Sequence, residues 1–319
     1  MIAAMERRQV AIYLAGLVVG AGLGLLVPSV IGPATTAIDP LLVALLYATF
    51  LGIPFGRLGG ALRDWRFVGA VLVVNFVAVP IVVFGLSRIV AHDRALLVGV
   101  LFVLLAPCVD YVIVFSGIAG GAKDRLLAAS PMLMGVQMVL LPGFLWLFVG
   151  SEVVSTIDVE PFVRAFVVIV ATPLVLAGLT QWASSRIRLA RRVNGIAAAA
   201  MVPIVTVTLV AVVASQISGV RDQIASLALV IPVYVLFAVV MVPVGVGVGR
   251  LAGLDGPSLR SVVFSGVTRN SLVILPLVLA LPAAFDPAPL VVVTQTLVEL
   301  VVMVVMVRLV PRLVRRDAR

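Results

Sequence analysis

Charged residues are scarce in this sequence. Asp, Glu, Lys and Arg together make up 12% of its 319 residues, whereas soluble domains carry about a quarter. The chain is 63% hydrophobic and its mean hydropathy is +1.27. Because so much apolar surface cannot be hidden inside one chain of this size, lipid is its expected solvent and a soluble globular protein is excluded.

Cysteine and histidine are almost absent, and each absence excludes a class of site. One cysteine cannot form an intrachain disulfide, and the single histidine, His92, leaves no His/Cys cluster with metal-ligand spacing. The sequence also has no phosphate-binding loop, no loop long enough for a nucleotide domain, and no catalytic pair of carboxylates or of Ser and His. We therefore expect no cofactor, no metal centre, no ATP-driven pump and no enzyme activity.

Long hydrophobic runs are what the sequence does contain, and ten of them approach the roughly 20 residues that cross a bilayer. We expect helices, because backbone groups in hydrocarbon must bond within their own segment. The second run is short and interrupted by Gly and Pro, so we expect it to be tilted or partly re-entrant. The predicted spans are Val10–Ile31, Pro40–Phe55, Phe67–Val90, Ala95–Ala119, Leu126–Val149, Pro161–Ala183, Gly195–Ile217, Ile224–Gly249, Ser258–Leu281 and Pro289–Val310.

The positive charges are distributed unevenly between the two sides of this predicted topology. With the N-terminus in the cytoplasm, 18 of the 23 Lys and Arg residues lie inside, 4 lie outside, and Arg269 lies within a span. Cytoplasmic loops collect Lys and Arg, so we expect both termini in the cytoplasm and the protein in the plasma membrane, the inner membrane of a bacterium. This distribution explains the net charge of +9, and we do not expect nucleic acid as a partner.

The acidic loop Ser151–Glu160 divides the chain into two halves of five predicted spans each. Because five is odd, the second half starts on the opposite side of the membrane, which is the arithmetic of an inverted repeat. We therefore expect one transmembrane domain, 1–319, built from a first repeat, 1–155, and a second, inverted repeat, 156–319. The fold class that follows is an all-α polytopic membrane protein.

The fourth span of each half carries an interruption. One lies at Ala106-Pro107-Cys108, where Pro107 lacks an N–H and cannot continue a helix. The other lies at Thr268-Arg269-Asn270-Ser271, where Asn270 or Ser271 can cap a new half-helix. Paired interruptions are the best sequence pointer to a transporter's binding site, and half-helix N-termini that meet there would offer partial positive charge.

Away from the span ends, three formal charges lie within spans, at Asp110, Arg269 and Glu299. Each is a functional hypothesis because a charge in the bilayer is costly. In one interpretation Asp110 caps its half-helix or pairs with Arg269, and Arg269 either neutralises it or holds a substrate charge. Glu299 would then have no counter-charge, would keep its proton near neutral pH, and could carry that proton across. In the other, Glu299 pairs with Arg269 and Asp110 is left over.

Cys108 follows the first interruption, where a half-helix N-terminus and a nearby Arg269 would favour its thiolate, a soft ligand and nucleophile. The alternative is simple packing, because a free cysteine also serves as a small hydrophobe. The remaining polar side chains within spans are expected to bond between helices, and the small residues to allow close helix packing. The first set is Asn75, Gln137, Asn270, Thr294 and Gln295, and the second is Gly16, Gly20 and Gly24.

The chain resembles the arsenical-resistance-three arsenite permeases of the bile acid/arsenite/riboflavin transporter superfamily. The resemblance rests on the run from Ala106-Pro107-Cys108 to Gly120-Gly121, on Thr268-Arg269-Asn270, and on Glu299. It implies a bile acid sodium symporter-like fold of ten helices, in which broken fourth and ninth helices cross in a core and the first, second, sixth and seventh helices form a panel. It also implies functional roles for Cys108 and Glu299.

Two positions depart from the family pattern, since Pro107 stands where an arginine often precedes the cysteine and Asp110 replaces a small apolar residue. The function we predict is a secondary transporter that exports arsenite, or antimonite, in exchange for protons, with the lipid bilayer as its surroundings. The alternative is a sodium-coupled symporter of a bile-acid-like or other organic anion. Few carboxylates and amides are expected at the crossing, which argues against sodium. The oligomeric state is left open, with a homodimer as one option.

The predicted site residues fall into three groups. The substrate would be bound by Cys108, Arg269 and Asn270, with Cys108 as the metalloid contact, and Glu299 would be the proton-coupling residue. The crossing would be supported by Pro107, Asp110, Thr268 and Ser271.

Overall fold

The computed structural model of the chain describes residues 9–52, 64–109, 111–150, 160, 164, 166–184, 186–222 and 224–314. These residues form α-helices joined by short turns, and no β-strand occurs among them. The α-helices are α1 (Gln9–Leu26), α2 (Ile31–Gly52), α3 (Trp65–Val73), α4 (Val79–Ser87), α5 (Arg94–Leu104), α6 (Tyr111–Ile118), α7 (Lys123–Val149), α8 (Thr172–Ser184), α9 (Arg188–Asp222), α10 (Ile224–Leu227), α11 (Val230–Leu251), α12 (Gly256–Val267), α13 (Ser271–Leu279) and α14 (Pro287–Leu313).

Within the described part of the chain, seven helices are long and apolar enough to cross a membrane. The chain is therefore an all-helical, multi-pass membrane protein, as its composition predicts. The other three predicted spans correspond to the shorter helix α1 and to two pairs of short helices, α5 with α6 and α12 with α13. The count of ten spans and the inverted repeat stay predictions.

The second predicted span differs from its expectation. It is a helical segment of 25 residues, Pro28–Gly52, formed by a 3-10 turn and α2, and Pro40 lies inside α2 without ending it. The expectation of a short, interrupted span is wrong. Polar residues lower the hydropathy of its first turns, but they are compatible with a helix. Thr35 and Thr36 each donate their hydroxyl to the carbonyl four residues earlier. The predicted end at Phe55 lies outside the described residues.

The first of two compact units contains α1, α2, α8 and α9, together with residues 275–281. Its helices are the first, second, sixth and seventh predicted spans, which the resemblance assigns to the panel. Helix α9 packs along both α1 and α2, and α8 packs against α2 and α9. The amide of Gln181 donates to the carbonyls of Phe50 and Leu51, which are orphan acceptors in the last turn of α2.

Close contact between α1 and α9 depends on the glycines of α1. A Cβ added at Gly20 would lie 2.8 Å from the carbonyl oxygen of Val210, and one added at Gly24 would lie 2.4 Å from that of Ala214. Both distances are shorter than a carbon–oxygen contact allows, so the two backbones approach only because these residues lack side chains. The prediction that the glycines permit close packing is confirmed.

The second unit contains α3 to α7, α11, α12, α14 and the first turn of α13. Helix α11 packs against α12 and α14, α5 packs against α14, and α6 packs against α12. Both interrupted spans have their breaks in this unit, so the candidate site lies within it.

Candidate functional site

The first interruption separates α5, which ends at Leu104, from α6, which begins at Tyr111. The described residues between them, 105–109, are non-helical and buried, and they include Pro107 at the predicted break. Asp110 lies outside the described residues, so its predicted roles as a cap or as a partner of Arg269 stay predictions. A buried, non-helical stretch needs hydrogen-bond partners from elsewhere in the protein.

The second interruption separates α12, which ends at Val267, from α13, which begins at Ser271. The hydroxyl of Thr268 turns back to the carbonyl of Phe264 at 2.6 Å, which closes α12. The side-chain oxygen of Asn270 accepts the N–H of Val273 at 3.3 Å, as an N-cap does. The prediction that Asn270 or Ser271 caps the new half-helix is therefore confirmed, with Asn270 in that role.

The two interruptions pair with each other in an antiparallel bridge between Pro107 and Arg269. The N–H of Asn270 donates to the carbonyl of Ala106 at 2.9 Å, and the N–H of Cys108 donates to the carbonyl of Thr268 at 3.3 Å. Each break thus supplies partners for the backbone groups that the other break leaves without a helix, which is the requirement for irregular backbone within a membrane. We call these paired residues, 105–109 and 268–270, the crossing.

The guanidinium of Arg269 is fully buried at the crossing. It donates to four oxygens, three from backbone carbonyls and one from a side-chain amide. These acceptors are Leu104 O at 3.2 Å, Ser265 O at 2.7 Å, Gly266 O at 2.9 Å and Asn75 Oδ1 at 2.8 Å. The ring of Phe237 lies 5.5 Å from the guanidinium carbon, within the range of a cation–π interaction. The guanidinium is therefore engaged by the protein itself. The predicted substrate-binding role of Arg269 stays a prediction.

Asn75 is held by a local change in helix geometry. It lies in a π-helical turn, Val74–Ala78, inserted between α3 and α4 just before Pro80, and such turns are frequent at functional sites. Its Nδ2 donates to the carbonyl of Val71 at 2.9 Å and to the hydroxyl of Ser265 at 2.8 Å, which leaves Oδ1 to face Arg269. The expectation that Asn75 bonds between helices is confirmed.

Glu299 is buried on α14, and its Oε2 accepts the backbone N–H of Arg269 at 2.8 Å. The same oxygen accepts the amide of Gln295, one helical turn earlier. Glu299 and Gln295 also line a small cavity, between α11, α12 and α14, with room for about one water molecule. The structure therefore brings Glu299 to the crossing through the main chain of Arg269, and the choice between the two predicted charge pairings stays open because Asp110 lies outside the described residues.

Three buried polar atoms at or next to the crossing have no hydrogen-bond partner among the described residues: Asn270 Nδ2, Ser271 Oγ and Gln295 Oε1. Buried polar groups are normally satisfied, so each of these atoms needs a partner from outside the described residues, such as a polar ligand or a water. The expectation that few amides and carboxylates lie at the crossing stays a prediction, since Asp110 lies outside the described residues. Among the described residues, three amides, Asn75, Asn270 and Gln295, lie at or next to the crossing together with the carboxylate Glu299. They come from three parts of the chain: the π-helical turn, the second interruption and α14.

Three residues of this region were not found from the sequence. Ser265 and Phe237 contact Asn75 and Arg269 as described above, and Arg260, which charge counting places in a cytoplasmic loop, is instead buried in α12. Arg260 donates to the carbonyls of Ala119 and Val314, at the ends of α6 and α14, where a cation meets the negative end of each helix dipole. Its position inside the predicted ninth span was the available signal.

A known protein family matches this chain over more than half of its length. A family model described as the sodium bile acid symporter family matches residues 39–222, more than half of the chain and including the first interruption. No curated protein matches the chain. Because the match covers more than half of the chain, the chain belongs to the sodium bile acid symporter family. Members of this family are membrane transporters of the bile acid/arsenite superfamily.

Proposed function

We propose that this protein exports arsenite from the cytoplasm in exchange for protons. The observation that supports this most is the position of Cys108, which is fully buried at the crossing with its N–H bonded to Thr268. A thiol at this position would give a soft, thiophilic substrate a sulfur ligand at the place where the helix is interrupted.

The substrate would be held by one sulfur and by hydrogen bonds. Arsenous acid carries three hydroxyl groups, and condensation with a thiol forms one As–S bond while the thiol proton leaves with one hydroxyl as water. The unpartnered Nδ2 of Asn270 can donate to a remaining hydroxyl, and the unpartnered Oγ of Ser271 can donate or accept. These two side chains start α13, so they would be fixed by the same half-helix.

Proton coupling would reside on Glu299. Its carboxylate lines the small cavity beside the crossing and bonds to the N–H of Arg269. A change in its protonation therefore acts directly on the backbone that pairs with Pro107. Binding and release of a proton there would favour different arrangements of the crossing, which is what exchange of a proton for substrate requires.

The other predicted residues would hold the crossing. Pro107 would prevent a helix at the first break, and Thr268 would end α12 through its bond to Phe264. Asp110 would neutralise the charge of Arg269. With the termini in the cytoplasm, as the charge distribution predicts, the two inverted halves would expose the crossing alternately to the two sides of a plasma membrane.

Arsenite resistance in an arsenite-sensitive bacterial strain tests the proposal. Cells that express the wild-type protein should grow at arsenite concentrations that stop the strain alone, and Cys108→Ser should abolish this protection at equal membrane abundance. Ser116→Ala is the matched control, because its hydroxyl is buried in α6 against Ser261, away from the crossing. Full resistance in cells that express Cys108→Ser would exclude Cys108 as the arsenic ligand.

A second function, sodium-coupled symport of an organic anion, is supported by the description of the matching family. It predicts anion uptake that follows a sodium gradient and is unchanged in Cys108→Ser. The engagement of the Arg269 guanidinium with four protein oxygens counts against it as an anion contact. Uptake of a labelled bile acid, with sodium replaced by N-methylglucamine, distinguishes the two functions.

A further inference from the structure

The four oxygens around the Arg269 guanidinium form a site that attracts a cation from any source. Leu104 is the last residue of α5, and Ser265 and Gly266 lie in the last turn of α12. Carbonyls at helix C-termini are orphan acceptors and carry the negative end of the helix dipole. Two such termini therefore direct partial negative charge at the two terminal nitrogens of Arg269, beside the crossing.

Two side chains next to the guanidinium, those of Asn75 and Phe237, also favour a cation. The Oδ1 of Asn75 adds an amide oxygen, and the ring of Phe237 adds an aromatic face at 5.5 Å. Backbone carbonyls at the ends of broken helices, with amide oxygens, are also the ligands by which transporters hold small monovalent cations. The chemistry of these oxygens therefore suits a small monovalent cation as well as a guanidinium.

We infer that Arg269 is a tethered cation, which permanently occupies a site that would otherwise bind an exchangeable sodium ion. In the wild-type protein this site needs no sodium, and removing the guanidinium exposes a latent monovalent cation site formed by the oxygens of Leu104, Ser265, Gly266 and Asn75. The inference concerns the cation site alone and holds whichever substrate is transported, but it excludes sodium as the coupling ion of the wild-type protein.

Thermal unfolding of the purified protein in detergent tests this without substrate. The Tm of the wild-type protein should be the same in sodium chloride and in N-methylglucamine chloride at equal ionic strength. The Tm of Arg269→Ala should be lower than that of the wild type and should rise by about 3 °C or more in sodium, as expected for a ligand well above its Kd. Guanidinium at millimolar concentration should also raise the Tm of Arg269→Ala and should leave the wild type unchanged.

A double variant locates the response. Because Asn75→Leu removes one of the oxygen ligands and adds apolar volume, Arg269→Ala with Asn75→Leu should lose the response to sodium. If Arg269→Ala yields no folded protein in either salt, Arg269→Met takes its place in the same comparison. Methionine replaces the aliphatic stem of the arginine and leaves open the position of the two terminal nitrogens, which the four oxygens surround.

Three results would overturn the inference. They are a sodium-specific rise in the Tm of the wild-type protein, equal Tm values of Arg269→Ala or Arg269→Met in the two salts, and a sodium response that survives in the double variant. Failure of arsenite transport would leave all of these readouts unaffected, so the inference and the proposed function can fail separately.

Discussion

The helices inside the first unit and the helices inside the second unit are held together by different kinds of contact. In the first, α1 meets α9 through Gly20 and Gly24, where the partner backbone lies too close for a side chain. In the second, broken helices meet through the hydrogen bonds of the crossing and of Arg269. Close packing specifies a rigid contact at little chemical cost, whereas a buried polar network is costly unless every member is satisfied. We therefore place the proposed function in the second unit.

The largest effect that separates the units is expected at Glu299. Because the amide of Glu299→Gln can still accept the N–H of Arg269 but cannot exchange a proton, transport should continue downhill and lose its response to a pH gradient. For one proton per substrate, accumulation driven by the gradient should fall about tenfold for each pH unit.

Thr296→Val on the same helix is the matched control for this variant, because its hydroxyl bonds only to the carbonyl of Val292 among the interactions described. Arsenite accumulation in vesicles with and without an imposed pH gradient gives the readout. An unchanged response to the gradient in Glu299→Gln would exclude Glu299 as the coupling residue.

The next effect is on stability, at Asn75. Replacement by Leu leaves the Nη2 of Arg269 and the hydroxyl of Ser265 without this partner, and a lost hydrogen bond to a charged group costs about 2–3 kcal/mol. The Tm of purified Asn75→Leu should fall by several degrees. Ser87→Ala in the same span removes a bond to the nearby carbonyl of Phe84 and should change the Tm far less. Equal Tm values for the two variants would contradict the role of Asn75.

A similar or smaller loss is expected in the first unit at Gly24. The added methyl of Gly24→Ala would meet Ala214 O at 2.4 Å, and such overpacking costs about 1–3 kcal/mol. Gly22, two residues earlier, has nothing within 4 Å of an added Cβ, so Gly22→Ala should be neutral or stabilising by up to about 1 kcal/mol. The order of the two Tm values checks the contact, and Gly24→Ala at least as stable as Gly22→Ala would disprove it.

The smallest effect is expected for ion pairs at the surface of the second unit. Arg125 contacts Asp64 at 3.2 Å and Asp255 at 3.5 Å, with about half of its side chain exposed. Exposed pairs contribute about 0–1 kcal/mol, so Arg125→Gln should lower the Tm slightly and only at low salt. A loss as large as that of Asn75→Leu would show that the stability of this unit does not depend on its buried network.

The sequence was most informative where local chemistry decides the structure. Pro107 marks the first break because it lacks an N–H, and Asn270 marks the second because its side chain can cap a helix. It was least informative for Arg269 and Arg260, since their partners are mostly backbone carbonyls, which every residue carries. The second span was mistaken because Pro40 and two threonines weaken a hydropathy pattern without breaking the helix.

Uptake of arsenite into everted membrane vesicles tests the central claim most directly, namely that Cys108 at the crossing contacts the substrate. Vesicles that contain the wild-type protein should accumulate arsenite when a pH gradient with an acidic vesicle interior is imposed. They should not accumulate it when the gradient is absent. Vesicles with equal amounts of Cys108→Ser should accumulate no more arsenite than vesicles without the protein. Wild-type accumulation by the Cys108→Ser vesicles would contradict the account.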